Sequence, residues 1–556
     1  MTQLGLFQGS DVLPPSLQEA IEHGEVFTRG WVVELLLDLV GYVPERDLAR
    51  LVIAEPACGR GAFLGPISRR LGESCRRHGR GLEDALGSVV AYDLLESNVE
   101  HSRVLVHQEL AAQGWDADEA RRCAQHWVGQ GDYLLARPTA SGADVVVGNP
   151  PYIRLEDVPA ARMAAYRSAH PTMGGRADVY VGFYEAALRS LNPGGVLGFI
   201  CADRWMHNQY GARLRELVGR EYSVDVVLSM HDVDAFEEQV AAYPAITVLS
   251  SRPQGEVVAA EATRSFTPQD AAQLVEWCRA GGGGLERWGV RAVRLPHWFS
   301  GGDFWPAASP ARLALLEDLT DRFPTLEDPH GATRVSIGVA TGADKVFITT
   351  DPDIVEPECL LPLAMVRDIA SGTFTWQGHY LINPWTPAGN LVCLDDLPRL
   401  RRYLTAHAAV LRRRYVAVKQ PERWYKTIDK VDHSLIGRSK LLLPDMKTTI
   451  HPVLDEGGFY PHHNLYYITS QDWDLRVLGG LLISGIAEAF VHAYGVKMRG
   501  GTLRFQAQYL RKIRVPHPGR IGDKVQAALS KAFERRDVAV ATEAALDAYG
   551  LDHLPD

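Results

Sequence analysis

An apolar run, Val145-Val146-Val147, leads directly into Gly148-Asn149-Pro150-Pro151-Tyr152. Two consecutive prolines fix φ at both positions and remove two N–H donors, so their carbonyls remain as acceptors in a rigid loop. That set suits one demanding reaction: attack by the exocyclic amino group of a base, whose lone pair is delocalised into the ring. The side-chain oxygen of Asn149 and the carbonyl oxygen of Pro150 can each accept one N–H. This pulls electron density toward the nitrogen and turns its lone pair toward an electrophile. Tyr152 offers a ring face on which an extruded base stacks, an interaction of about 1–3 kcal/mol. The plainer alternative is a proline turn after a strand.

Upstream, Ala54-Glu55-Pro56-Ala57-Cys58-Gly59-Arg60-Gly61-Ala62-Phe63-Leu64 follows one apolar run and opens a helix-like one. Gly59 and Gly61 let the backbone approach a ligand closely at a strand-to-helix crossover. A phosphate is one candidate, but no P-loop Lys-Ser/Thr follows and Glu55 would repel it. The acid better suits a cationic or amine-bearing ligand, and S-adenosyl-L-methionine carries both a sulfonium and an amino group. Asp93 ends the run Val89-Val90-Ala91-Tyr92, where a carboxylate accepts ribose hydroxyls. It lies further from Gly61 than the usual ~20 residues, and a loop around 76–87 accounts for the excess. Asp132-Tyr133 suits an adenine amino group and ring. Singly, each carboxylate reads equally as a surface cap; in this order they describe one cofactor site.

The elements that must position these residues follow from the apolar pattern. Candidate buried strands are Leu51–Ala54, Val89–Tyr92, Asp144–Val147, Val196–Cys201, Val224–Ser229 and Ala245–Leu249, with amphipathic stretches such as Ala62–Leu71, Val179–Leu191 and Tyr210–Val218 between them. Strands alternating with helices predict an α/β, doubly wound, Rossmann-like sheet. Pro193-Gly194-Gly195 reads as a turn between helix and strand. After Ser250-Ser251-Arg252-Pro253 the composition shifts, and Gly281–Gly284 and the proline-rich stretch near 296–310 read as linker. Beyond about residue 325 the alternation gives way to shorter strand-like pieces, Thr333–Ala340 and Lys345–Thr349, and basic helical segments. The expected division is residues 1–252, a linker or extension over 253–325, and a mixed α+β domain over 326–556.

Composition bounds the rest. The 556 residues are 46% apolar, carry 58 basic and 68 acidic side chains and have a formal net charge of -10, which fits a folded chain of two or three domains. No apolar run reaches the ~18 residues a membrane span needs, and the N-terminus shows no basic patch followed by an apolar stretch. Seven cysteines, scattered and without a C-x-x-C pair, predict a reducing, cytoplasmic compartment, with no disulfide framework and no structural zinc. Asp445-Met446-Lys447 and His462-His463-Asn464 are chance-level matches to nuclease motifs, and no metal cluster is expected.

Taken together, these motifs resemble the gamma-class amino-methyltransferases of DNA, the adenine-N6 type of restriction–modification systems. Gly24-Glu25-Val26-Phe27-Thr28 resembles the segment whose threonine lies near the cofactor; the family usually continues with prolines, and here Arg29-Gly30 follow. The resemblance implies that Thr28, Glu55, Ala57, Gly59, Gly61, Asp93, Asp132 and Tyr133 bind S-adenosyl-L-methionine. It makes Asn149, Pro150 and Tyr152 catalytic, with Tyr152 and Phe236 flanking the flipped base; a Phe after a strand reads equally as core. Ser336–Phe347, Met365–Ile369, Tyr466–Thr469 and Gly500–Phe505 resemble the family's target-recognition domain. The implied partner is double-stranded DNA, with a separately encoded nuclease or defence-system subunits left open. The cofactor loop begins by residue 54, which leaves no room ahead of it for a fused nuclease.

Charge placement is an independent pointer to DNA. Between Arg399 and Lys447, thirteen basic residues face four acidic ones, a net +9 within a chain of -10. Tyr403, Tyr415, Trp424 and Tyr425 are interleaved with them. Arg412, Arg413, Arg414, Lys419, Arg423, Lys426 and Lys430 are the expected phosphate contacts; a solvated helix face is the bland alternative, though it usually mixes signs. Cytosine-N4 methylation shares the same amine chemistry, although such enzymes more often carry Ser in place of Asn149. A glutamine methyltransferase shares Asn-Pro-Pro-Tyr but is much shorter, and a non-catalytic DNA-binding subunit is the remaining alternative.

Overall fold

A computed structural model of the chain describes residues 7–8, 26, 28–138, 142–237, 243–327, 332–447, 449–497, 503–504 and 507–555. The chain packs as two compact units, Met1–Glu317 and Asp318–Asp556.

The first unit is built on one ten-stranded sheet. Its strands, in chain order, are β1 (Ile53–Glu55), β2 (Val89–Asp93), β3 (Val128–Gln130), β4 (Ala143–Gly148), β5 (Leu191–Ala202), β6 (Ser223–Ser229), β7 (Pro244–Ser250), β8 (Val257–Ala262), β9 (Leu285–Glu286) and β10 (Val290–Leu295), and their spatial order is β9-β10-β8-β6-β7-β5-β4-β1-β2-β3. The run from β3 to β5 is parallel throughout. β7 is inserted antiparallel between β5 and β6. Val145, Val146 and Val147 are buried, as both faces of a helix-covered parallel sheet require.

The six strands expected between residues 51 and 249 all lie in this sheet. The expected turn at Pro193-Gly194-Gly195 does not precede its strand but falls inside β5, where the pairing shifts register opposite Ala143 and Val145. Of the expected linker or extension over 253–325, the structure shows an extension of the first unit up to Glu317, not a linker. Val257–Ala262 pairs parallel with β6, and Val290–Leu295 pairs antiparallel with β8, because these apolar runs extend the sheet edge. The proline-rich stretch is core as well: buried Trp298 and Trp305 pack on each other at 5.9 Å, and Trp305 packs on Trp205 at 5.0 Å. The glycine run is loop, between the helix Pro268–Ala280 and β9.

Helices cover the sheet. Those that bear on the site are α1 (Gly30–Leu39), α2 (Leu64–Arg77), α3 (Glu96–Ala112), α4 (Ala117–Trp127), α5 (Ala160–Ala169) and α6 (Val179–Arg189). Arg70 of α2, nearly buried, reaches Glu34 Oε2 at 2.6 Å, Asp38 Oδ1 at 2.9 Å and the carbonyl of Tyr42 at 2.9 Å. Such multidentate pairing fixes α1, and with it the chain just before α1, against the cofactor-loop helix.

The second unit is mixed α+β. Thr333–Ile337, Leu465–Ser470, Lys440–Pro444 and Val453–Asp455 form one antiparallel sheet; Ile348–Thr349, Tyr380–Ile382, Leu360–Ala364 and Tyr460–Pro461 form another. Asp344–Phe347 is a single helical turn where a strand was expected. Among the described residues no single helix is long and apolar enough to cross a membrane; Leu475–Ile483 and Gly485–Tyr494 meet at a 63° bend and are largely buried.

Candidate active site

Four strand ends converge on one cavity. Glu55 closes β1, Asp93 closes β2, Asp132 follows β3 and Asn149-Pro150 follows β4, and all line a cleft enclosing about 1050 Å³ out to its mouth. β1 and β4 are neighbours. This is the switch point of a doubly wound sheet, where helices leave on opposite faces and ligands bind. Thr28, Ala57, Gly59 and Tyr133 also line the cleft.

The glycine loop is tied down from two sides. Gly59 N–H donates to Asp93 Oδ2 at 2.9 Å, and Ser102 Oγ donates to the Gly59 carbonyl at 2.9 Å. Gly61, expected at the cofactor, is not among the lining residues. It sits at φ +87° with its α-carbon against α3, where a Cβ would lie 2.7 Å from Leu105 Cδ2. Its work is helix packing, and a side chain there would push the loop off α3. Asp93 also accepts from the Leu95 N–H at 2.9 Å and from Asn98 at 3.1 Å, so it braces the loop as well as facing the cavity.

Three acidic or amide groups set the electrostatics. Burial, with Asp93 nearby, pushes the Glu55 carboxyl well above the usual carboxylate range, and its Oε2 has no partner among the described residues. Burial also raises Asp132, opposed by Tyr166, whose hydroxyl donates to Oδ2 at 2.8 Å, and by Arg162. Asn149 donates from Nδ2 to the Val26 carbonyl at 2.9 Å and to Thr28 Oγ1 at 3.2 Å. Both contacts come from the segment ahead of α1, and they leave Oδ1, buried and without a partner among the described residues, as the acceptor end.

The aromatic pair departs from expectation. Tyr152 and Phe236 lie 6.2 Å apart, edge to face at 80°. Phe236 is 5% exposed and bridges backbone to backbone with Thr28. Neither ring lines the cleft. Phe236 therefore backs Tyr152 and presents no second stacking face here. The bridge is clamped by Arg29, whose Nε donates to the Phe236 carbonyl at 3.0 Å and whose guanidinium pairs with Asp234 at 2.5 Å. Gly24, Glu25, Phe27, Glu238, Gly500 to Thr502 and Phe505 lie outside the described residues.

Sequence reasoning missed Val26, Arg162, Tyr166 and Phe183. Tyr166 and Phe183 line the cleft, and Phe183 stacks on Tyr133 at 5.8 Å and 13°. Arg162 is fully buried behind Asp132, its Nε 3.9 Å from Oδ2. Arg162 and Tyr166 sit one helical turn apart on α5, a spacing that reads as a solvated face until the helix is docked.

In the second unit, Arg412, Arg413, Lys419 and Lys430 are exposed, as expected. Arg412 lies over the Trp424 ring at 4.6 Å and Lys419 over Tyr415 at 4.7 Å, cation–π pairs that hold the charges at the surface. Lys426 donates to Gln420 Oε1 at 2.5 Å, and Arg423 lies over Trp385 at 5.7 Å. Arg414 is a correction. It donates to the carbonyls of Thr341, Trp424 and Lys426 at 2.8–2.9 Å, and burial lowers its pKa, so its donors are spent inside the fold. Lys440, counted among the thirteen, is buried and paired with Asp455 at 2.7 Å.

A doubly wound sheet with a cavity at its switch point is a cofactor-binding architecture, and the cofactor expected here is S-adenosyl-L-methionine. The cleft fits that cofactor: the unpartnered Glu55 oxygen offers a carboxylate to an amine or cation, and Asp132 and Tyr133 offer an acceptor and a ring. The profile of the Eco57I restriction-modification methylase family matches residues 95–236. The type II methyltransferase M.XhoI of Xanthomonas vasicola is 42% identical over 96% of this chain and 98% of its own length. M.PaeR7I of Pseudomonas aeruginosa is 42% identical over 95% of this chain and 92% of its own. A solved structure of the type IIL restriction-modification enzyme MmeI in complex with DNA aligns with a TM-score of 0.46 at 12% identity, covering 94% of this chain and 74% of that one. The chain belongs to the type II restriction–modification methyltransferase family.

Proposed function

We propose that this protein is a site-specific DNA methyltransferase that acts on the exocyclic N6 of an adenine flipped out of the duplex, in a restriction–modification or phage-defence setting. The observation that carries this reading is the tethered amide of Asn149, which has both donors committed to Val26 and Thr28 and keeps Oδ1 as an acceptor.

S-adenosyl-L-methionine supplies the methyl group, carried on a positively charged sulfur. The protein's own part is positioning and polarisation. Glu55 takes up the cofactor's cationic end, Thr28, Ala57 and Gly59 line its path, Asp93 accepts from its ribose, and Asp132 with Tyr133 receives its adenine. Asn149 Oδ1 and the Pro150 carbonyl accept the two N–H bonds of the target amine, which localises the nitrogen lone pair. Tyr152, backed by Phe236, supplies the face on which the flipped base rests. Arg412, Arg413, Lys419, Arg423, Lys426 and Lys430 neutralise phosphates, while Arg414 shapes the surface that carries them.

Incubation with labelled S-adenosyl-L-methionine and genomic DNA, followed by modification-sensitive sequencing, tests the reading directly. Label at N6 of adenine within one recurrent sequence is the expected outcome; label on cytosine N4, or none, overturns it.

A further inference from the structure

We propose that Asp344, His462 and His463 form a site for one first-row divalent metal ion of the Zn²⁺ type in the second unit. These residues come from segments 118 positions apart, and one ligand atom from each lies within 4.8 Å of the others.

The geometry arises from one close approach. Gly338 N–H donates to the Leu465 carbonyl and Val339 N–H to the Pro461 carbonyl, both at 2.9 Å, so the 338–344 loop runs against the turn after Tyr460–Pro461. A Cβ on Gly338 would lie 2.3 Å from the carbonyl oxygens of both Pro461 and His462, so only glycine permits it. The turn closes through Leu465 N–H to the His462 carbonyl at 2.8 Å. In a strand two adjacent histidines would point to opposite faces; in this turn their rings lie 4.0 Å apart.

The ligand atoms are prepared. Thr341 Oγ1 donates to Asp344 Oδ1 at 2.5 Å and leaves Oδ2 facing His462 Nε2 at 3.2 Å. An ion held tetrahedrally at about 2.0–2.2 Å spaces its ligand atoms roughly 3.3 Å apart. A plain hydrogen bond accounts for that pair but not for His463, whose Nδ1 is buried without a partner among the described residues. Neutral imidazole and ionised carboxylate are the ligand forms. Two imidazoles and a carboxylate select first-row divalent ions over Mg²⁺ or Ca²⁺. The Asp344 side chain is 43% exposed, which opens an entry path and a remaining coordination position. Through Arg414 to the Thr341 carbonyl and Asp429 to the Ala340 N–H, the same loop anchors the basic segment.

The test uses the full chain without a polyhistidine tag, stripped by chelation and titrated with Zn²⁺ and with Co²⁺ followed by visible absorption. One equivalent is expected to bind wild type, with affinity weakened more than about tenfold in both Asp344→Asn and His463→Gln. Cofactor binding, read by calorimetry, and the circular dichroism spectrum stay unchanged. Substoichiometric binding to wild type, or equal affinity in wild type and both variants, overturns the assignment.

Discussion

The amide nitrogen of Asn149 lies 3.2 Å from the hydroxyl of Thr28, 121 residues earlier in the chain, and 2.9 Å from the carbonyl of Val26. The acceptor face of the Asn-Pro-Pro-Tyr loop is thus oriented by a segment that Arg29 in turn holds to the loop bearing Phe236.

Asn149→Ala is expected to lower kcat by on the order of 10³, the scale for loss of one preorganised polar contact at a reacting centre, while cofactor affinity survives. Thr28→Val frees the amide to rotate and lowers kcat roughly tenfold, with Thr28→Ser restoring most of it. Single-turnover methylation alongside calorimetric cofactor titration separates the two effects. An unchanged kcat in Thr28→Val would show that Val26 alone suffices.

The raised Glu55 pKa fixes a sign. In the free protein burial favours the protonated acid; a cationic ligand favours the carboxylate. The free form therefore binds more protons than the complex, and cofactor affinity rises with pH until Glu55 ionises unaided. Calorimetry in buffers of different ionisation enthalpy reads the released proton, and Glu55→Gln flattens the profile. Affinity that falls with pH contradicts this placement.

Arg162, fully buried with no hydrogen-bonded nitrogen among the described residues, stands 3.9 Å from Asp132. It favours the ionised acceptor that an adenine amino group requires. Wild type should prefer S-adenosylhomocysteine over its deaminated inosyl analogue by roughly 10- to 100-fold, the worth of one hydrogen bond to a charged group. Arg162→Met narrows that preference and Asp132→Asn reverses it. Competition binding with the two ligands decides, since a merely structural loss weakens both alike.

The basic residues divide into two kinds. Replacing Arg412 and Arg413 by Ala should reduce the slope of log affinity for DNA against log salt by about two, at ~0.9 per phosphate contact, without changing the melting temperature. Arg414→Ala leaves three carbonyls without their donor and lowers stability by roughly 2–3 kcal/mol. Salt-dependent binding and thermal melts on the same proteins tell the two apart.

Strand positions and the order of cavity residues were legible because both are local. A valine run buries on two faces wherever it is placed, and a carboxylate directly after it reaches the sheet's carboxyl edge. The region 253–325 was misread for the complementary reason: glycine and proline mark loops, but Val257–Ala262 and Val290–Leu295 become strands only when a sheet edge is offered to them. Net charge misled similarly, since +9 in one segment coexists with -10 overall, and even there Lys440 and Arg414 turn inward.

By itself, then, the sequence determined which chemistry lies at which strand end: Glu55, Asp93, Asp132 and Asn149-Pro150-Pro151-Tyr152 owe their placement to neighbours within a few residues. Only the tertiary structure decided what those groups face. Thr28 on Asn149, Arg162 behind Asp132, Phe236 beneath Tyr152 and Asp344 beside His462 are contacts between segments remote in sequence. They exist because close packing decides which remote groups meet, and no local pattern records that choice.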